Sequence, residues 1–253
     1  MTAARLVSPT TGAFGGSHRL RGRLALRLPG KSQSERPTPN HALQRTATAV
    51  AELGVVRRCL AFPVNEDEEY PPDKMRTPAE VAARCVVLHG VIAAGYEQPR
   101  ADIIAWLRQQ NLWDAVSPNE AAFLQSDTPT PQQMLNATWR TEALHALLWA
   151  LDRMPVLCPP TERCDLDLVR QALPDLYADT SEFVSSARLR DDDTIEDILG
   201  AIYHTHWQVR DAQINQRPVP NGFDAGAVME RHYAYNWLTG YCNQDWDDIS
   251  TDT

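Results

Sequence analysis

Apolar residues recur with the period of an α-helix through most of the chain after residue 76, and no alternating pattern of strand length interrupts them. The Pro-rich stretches "DRMPVLCPPTERC" and "NQRPVPNGFD" break this pattern, as turns and loops do. The pattern predicts an all-α fold: a single multi-helix globular domain over residues 77–253. The eight predicted helices span residues 77–94, 99–110, 117–125, 130–152, 165–172, 180–188, 192–215 and 224–240.

Three of these helices begin with the same signature. Thr77, Ser117 and Thr130 are each followed by proline, and a Glu or Gln stands three residues after each hydroxyl. This arrangement is a capping box in which proline occupies the first helical position, where its missing N–H removes no helical hydrogen bond. Three independent copies make the helical prediction firm.

The helix near the C-terminus, within "MERHYAYNWLTGY", carries three ionisable residues among aromatic ones. At 100° per residue, Glu230 lies between Trp237 and Tyr241, whereas Arg231 lies on another flank and His232 belongs to a separate polar strip. A carboxylate flanked by aromatic rings is desolvated, and buried ionisable groups are normally paired. We therefore expect a cation from another helix to meet Glu230.

Four other polar residues lie on helix faces that are otherwise apolar. Arg140 and Glu142 do so in "ATWRTEALHALLWAL", and in the helix 192–215 His206 lies in the apolar stripe and Arg210 at its edge. We expect Arg210 or Arg140 to pair with Glu230, with His206 nearby. The candidate polar cluster consists of Glu230, His206, Arg210, Arg140, Glu142 and His232.

Two interpretations of this cluster are open. It is either a buried network that fixes the register of the helices, or the lining of a pocket in which Glu230 and His206 or His232 serve as acid/base or ligand-orienting groups. Two smaller expectations concern other charges. Glu80 and Arg84 are spaced as an i,i+4 pair, and "WDDISTDT" at the end of the chain is expected to be a solvated acidic tail, or otherwise a contact for a cation or partner.

No metal site or cofactor is predicted. His204 and His206 are about 200° apart on a regular helix and cannot chelate one ion, and the five cysteines are irregularly spaced. The chain contains none of the GxGxxG, GxxxxGK[ST], HExxH or GxSxG signatures. Because no apolar run reaches eighteen residues, no membrane span is expected, and the cysteine usage fits a reducing cytoplasm.

The net charge of −9 conceals two unlike regions. Residues 1–63 hold ten Lys and Arg against two Asp and Glu, whereas residues 64–253 hold fourteen against thirty-one, a balance of −17. We expect residues 1–63 to be a disordered basic extension and residues 64–76 an acidic linker. The extension is a tail that touches nucleic acid or anionic surfaces, a transit peptide, or the product of a start placed too far upstream, with Met75 as the alternative start.

Several segments together resemble a known bacterial family, domain of unknown function 4272. They are "RTPAEVAARCVVLHGVI", "IIAWLRQQNLWDAVSPNEAAFL", "ATWRTEALHALLWAL", "HWQVRDA" and "ERHYAYNWLTGY…WDDISTDT". The resemblance covers about residues 75–253 and leaves the first 60 or more residues outside. It implies a bacterial soluble domain and brings no activity, substrate or catalytic residue with it.

The sequence supports two classes of function. The first is a cytoplasmic helical binding or interaction protein with an acidic body, whose partner is a protein or a small molecule. Its acidic domain is not expected to bind nucleic acid, although the basic tail could. The second is a small-molecule enzyme, such as a hydrolase, that uses the Glu230, His206 and Arg210 cluster. An open concavity at that cluster would favour the enzyme.

Overall fold

A computed structural model describes residues 73–253. The predicted extension 1–63 and residues 64–72 of the predicted linker lie outside the described part. Within it the fold is all-α, as predicted, and no strand occurs among the described residues. The helices are α1 (Pro78–Gly95), α2 (Arg100–Gln109), α3 (Pro118–Gln125), α4 (Pro131–Ala150), α5 (Leu166–Gln171), α6 (Ser181–Ser185), α7 (Asp192–Ile214) and α8 (Ala225–Thr239).

All three predicted capping boxes form. The hydroxyls of Thr77, Ser117 and Thr130 each accept a hydrogen bond from the backbone N–H three residues later, and the Glu or Gln at that position accepts one in return. These caps satisfy N–H groups that the first helical turn leaves without partners. The starts of α1, α3 and α4 are therefore set by local sequence.

Helices α1, α4, α8 and α7 are packed in that spatial order. Helix α1 lies against α4, α4 also lies against α8, and α7 packs on the other side of α8. The interior of α1 is buried on nearly every side, as its continuous apolar sequence predicts. Of the described helices, α1 alone has the length and composition of a membrane span, and 67% of it is buried inside the protein.

The segment after α8 folds back onto the helices. Gly240 ends α8 with φ +72°, and a Cβ at this position would lie 2.2 Å from the carbonyl oxygen of Lys74. Beyond this turn, Trp246 is 3% exposed and Ile249 is 8% exposed. The expectation of a solvated acidic tail is therefore wrong for this part of the chain, because its two apolar residues are buried.

Candidate functional site

The most deeply buried ion pair joins α8 to α4. Arg231 donates to Glu142 Oε2 from Nε at 3.0 Å and from Nη2 at 2.8 Å, and neither side chain is more than 3% exposed. The remaining guanidinium N–H groups donate to the backbone carbonyls of Cys158, Pro159 and Glu162. Arg231 therefore fixes the Pro-rich connection after α4 to the core, which is a structural role.

A second pair joins α4 to α8 closer to the surface. Arg140 Nη1 lies 3.1 Å from Glu230 Oε2, and the Arg140 guanidinium lies over the ring of Tyr233 at 4.5 Å. Of the two cations expected for Glu230, Arg140 is thus the partner. Burial raises the pKa of the Glu230 carboxyl, and the nearby Arg140 charge opposes that rise.

Two histidines form a buried contact between α7 and α8. The Nδ1 atoms of His206 and His232 are 2.9 Å apart, so one must donate and the other accept. The rings of Tyr203 and His232 meet at nearly a right angle, with centroids 5.7 Å apart. Burial lowers the pKa of both rings, to about 3 for His232. Both imidazoles are consequently neutral near pH 7. The nearby Arg210 charge lowers the pKa of His206 further, although Arg210 itself is exposed.

The six candidate residues thus belong to separate contacts. Glu230 pairs with Arg140, Glu142 with Arg231, and His206 with His232, while Arg210 joins none of these pairs. None of the six lines either of the two cavities described below. The described residues also contain no group of three or more His, Cys, Asp or Glu placed to hold a metal ion.

Sequence reasoning did not select two buried residues that bond to the connection after α4. One is Arg231, described above. The other is His145, which is fully buried on α4 and accepts a hydrogen bond at Nε2 from the backbone N–H of Cys158. Burial lowers the pKa of His145 to about 3. The apolar neighbours of His145 on α4 were the available sequence signal for its burial.

A cavity of about 600 Å³ lies between the start of α1, the start of α3 and the segment after α8. We call it the tryptophan cavity, because Trp237 and Trp246 form part of its wall. Their rings meet edge to face, with centroids 5.3 Å apart. The volume is within the range of about 300–1,000 Å³ usual for ligand sites. A second cavity of about 440 Å³ has a neutral lining that includes Thr77, Gln110 and Thr180.

Arg84 is the buried cation of the tryptophan cavity. It donates to Glu120 at 2.7 Å and to the carbonyl of Ala115, and its guanidinium lies over the Trp246 ring at 4.7 Å. The expected pair with Glu80 is wrong, because Glu80 accepts from its capping partner and Arg84 reaches across to α3. Arg84 is 6% exposed and Trp246 is 3% exposed, yet Arg84 Nε and Trp246 Nε1 have no hydrogen-bond acceptor in the described structure.

Acidic side chains dominate the rest of the cavity lining. Asp247 is already committed to α3, where its two oxygens accept from the Ser117 hydroxyl at 2.7 Å and from the Asn119 N–H at 2.8 Å. Glu80 is engaged in its capping box. Three other carboxylates in the lining are exposed and have no ion pair with any described residue; they are Asp114, Asp245 and Asp248.

The chain belongs to the family whose model is described as "Domain of unknown function (DUF4272)", which matches residues 43–249. The match confirms the resemblance and begins closer to the N-terminus than the boundary expected near residue 75. The comparisons with curated proteins and with solved structures found no match. The description of the family names no activity.

Proposed function

We propose that this member of the DUF4272 family is a binding module that recognises a basic segment of a partner protein at the tryptophan cavity. The observation that carries this proposal is the charge of the cavity lining. Five carboxylates line it against two arginines, Arg76 and Arg84. Both guanidinium groups already donate to protein acceptors, so neither neutralises the exposed carboxylates.

The free carboxylates define what the cavity can attract. Asp114, Asp245 and Asp248 lie where an ammonium or guanidinium group can approach from solvent. Lysine and arginine side chains carry such groups at neutral pH. The balance of −17 over residues 64–253 adds a long-range attraction for basic partners and raises their rate of association.

The two unused donors favour a polypeptide over a simple cation. Arg84 Nε and Trp246 Nε1 are buried beside the cavity and lack acceptors. A peptide supplies carbonyl acceptors next to its basic side chains, whereas a free amine supplies none. The alternative function, acid/base catalysis by Glu230, His206 and Arg210, has weaker support because these residues lie in separate contacts and outside both cavities.

The test is peptide binding measured by fluorescence anisotropy. A short labelled peptide in which lysine alternates with glycine should bind, and the same peptide with glutamate in place of lysine should not. Asp245→Asn combined with Asp248→Asn should weaken binding by roughly threefold to thirtyfold, since two exposed ion pairs together contribute up to about 2 kcal/mol. Added salt should weaken binding further.

The matched control changes the net charge equally at a distance from the cavity. Asp175→Asn combined with Glu182→Gln removes two exposed carboxylates that do not line the tryptophan cavity. This control should bind the lysine peptide nearly as well as the unchanged protein. Equal weakening by both double variants would show that only net charge attracts the peptide, and the proposed site would then be wrong.

A further inference from the structure

The connection after α4 carries two cysteines on either side of a single β-turn. The turn is closed by a hydrogen bond from the N–H of Glu162 to the carbonyl of Pro159. Cys158 lies directly before this turn and Cys164 lies two residues after it, and both are half-buried free cysteines. The ends of a β-turn are within about 7 Å of each other, so the two cysteines face each other across it.

One turn of helix α4 holds both cysteines in place. His145 Nε2 accepts from the backbone N–H of Cys158 at 3.0 Å, and Glu142 Oε1 accepts from the backbone N–H of Cys164 at 2.9 Å. Residues three apart on a helix lie on the same face, with Cβ atoms about 5–6 Å apart. The Cys164 thiol also donates to the carbonyl of Thr141, with sulfur and oxygen 3.6 Å apart. Both cysteines are therefore anchored to neighbouring groups of α4.

The buried Arg231 guanidinium ties the two ends of the turn together. Nη1 donates to the Cys158 carbonyl at 2.7 Å, and Nη2 donates to the Glu162 carbonyl at 3.0 Å. Because both nitrogens belong to one planar group, the two carbonyls cannot move apart while Arg231 is bound to them. The folded core thus keeps the two cysteines opposite each other.

The surroundings of the two thiols affect their ionisation differently. Burial raises the pKa of both thiols, and the rise is larger for Cys164, where the Glu142 carboxylate adds to it. At Cys158 the Arg231 charge and the backbone N–H of Asp165 oppose the rise. Asp165 directly follows Cys164, so its N–H at the Cys158 sulfur also shows that the two sulfurs are close. Cys158 is therefore the thiol that ionises more readily.

We propose that Cys158 and Cys164 are an oxidation site at which hydrogen peroxide forms a disulfide across the turn. The Cys158 thiolate first attacks one peroxide oxygen, so an S–O bond forms and the O–O bond breaks. Cys158 becomes a sulfenic acid, and the departing hydroxide takes up the proton that this thiol released. The Cys164 sulfur then attacks the sulfenic sulfur, so the S–S bond forms and the S–O bond breaks. The departing hydroxide takes the Cys164 proton.

The two steps balance. Two thiols together lose two protons and two electrons, and one hydrogen peroxide is reduced to two water molecules. The pair remains a dithiol wherever the surroundings are reducing. Neither cysteine lines the tryptophan cavity, so this inference does not depend on the proposed binding role.

Peptide mapping of the full chain tests the pairing directly. Trypsin cleaves after Arg163 and therefore separates Cys158 from Cys164. After treatment with hydrogen peroxide and alkylation of the remaining thiols, the two tryptic peptides should be found joined, and dithiothreitol should separate them. This pairing should exceed any pairing with Cys59 or Cys242 several-fold. Predominant pairing with either of those cysteines would overturn the inference, as would sulfinic acid at Cys158 without any joined peptide.

Serine variants test the order of the two steps. In Cys164→Ser the sulfenic acid has no second thiol to meet, so dimedone should label Cys158. In Cys158→Ser, dimedone should label Cys164 several-fold less, and equal labelling would overturn the assigned order. The matched control Cys242→Ser changes a cysteine outside the connection and should leave the yield of joined peptide unchanged. A yield that rises with protein concentration would show pairing between two chains and would overturn the intramolecular disulfide.

Discussion

Removing Arg231 should cost more stability than removing any other single cation of the described domain. Arg231→Met leaves Glu142, which is 3% exposed as a side chain, buried without its counter-ion. The backbone N–H of Cys164 would be the remaining donor to that carboxylate. Breaking a buried ion pair costs about 3–5 kcal/mol. Since domains are stable by only about 5–15 kcal/mol, the variant should be close to unfolding.

The structure supplies a matched comparison for this prediction. Arg140 also pairs with a glutamate on the α4–α8 interface, but its side chain is 26% exposed, so water can reach the partner that remains. Arg140→Met should therefore cost only about 1–2 kcal/mol. Urea denaturation of each variant gives the free energy of unfolding. The dependence of that free energy on urea concentration shows whether the variants expose a similar surface area on unfolding, as the comparison requires.

A double variant separates the charge from the packing. Arg231→Met combined with Glu142→Leu removes both buried charges, so it should be more stable than Arg231→Met alone, although the carbonyls that Arg231 served stay without their donor. The reasoning is refuted if Arg231→Met costs no more than Arg140→Met. It is also refuted if the double variant is no more stable than Arg231→Met alone.

Three other predictions concern the turn after α8, the histidine pair and the start of α3. Gly240→Ala should destabilise by more than about 2 kcal/mol in urea denaturation, because it adds a backbone clash to a positive φ, while Gly222→Ala, with a similar φ and open space, should cost about 1 kcal/mol. The pKa of His206 and that of His232 are lowered on folding, to about 3 for His232. The unfolded chain therefore binds protons first, and stability should fall as pH drops below about 6.5. Below that pH, His232→Gln should reduce the dependence of the unfolding free energy on pH by up to about 1.4 kcal/mol per pH unit. An unchanged pH dependence in urea denaturation would contradict the lowered pKa of His232. Asp247→Ala removes two hydrogen bonds at the start of α3 and should lower the urea midpoint by the equivalent of about 1–2 kcal/mol.

The helices could be predicted from the sequence because capping residues and helical periodicity involve residues only a few positions apart. The capping boxes at Thr77, Ser117 and Thr130 involve residues only three positions apart, so their chemistry does not depend on the rest of the fold. Helical periodicity likewise showed which residues face inward, and the burial of Glu230 and His206 agrees with it. The shortest helix, α6, was predicted too long, as expected where few residues define a period.

The partners of the buried charges were harder to predict. Helical periodicity shows which face of a helix a residue lies on, but not which helix packs against that face. Two cations, Arg140 and Arg210, were therefore equally suitable for Glu230, and the structure pairs it with Arg140. Arg84 was paired with Glu80, the nearest acid in sequence, whereas the structure pairs it with Glu120. The segment after α8 was misjudged for a different reason. Its acidic residues gave it the composition of a solvated tail, whereas Trp246 and Ile249 decide its packing.

The division between paired and unpaired charges links the fold to the proposed binding role. Each glutamate on a helix interface is paired with an arginine: Glu120 with Arg84, Glu142 with Arg231 and Glu230 with Arg140. A buried carboxylate that is already paired in this way is not free to bind a ligand. Three carboxylates without an ion pair to any described residue, Asp114, Asp245 and Asp248, instead line the tryptophan cavity, on the segment after α8 and the turn before α3. That segment is held in place by Trp246 in the core and by Asp247 on α3. Burial of Trp246 therefore positions the acidic residues on either side of it, Asp245 and Asp248 among them. A variant in which Trp246 leaves the core should lose peptide binding even though it changes no carboxylate.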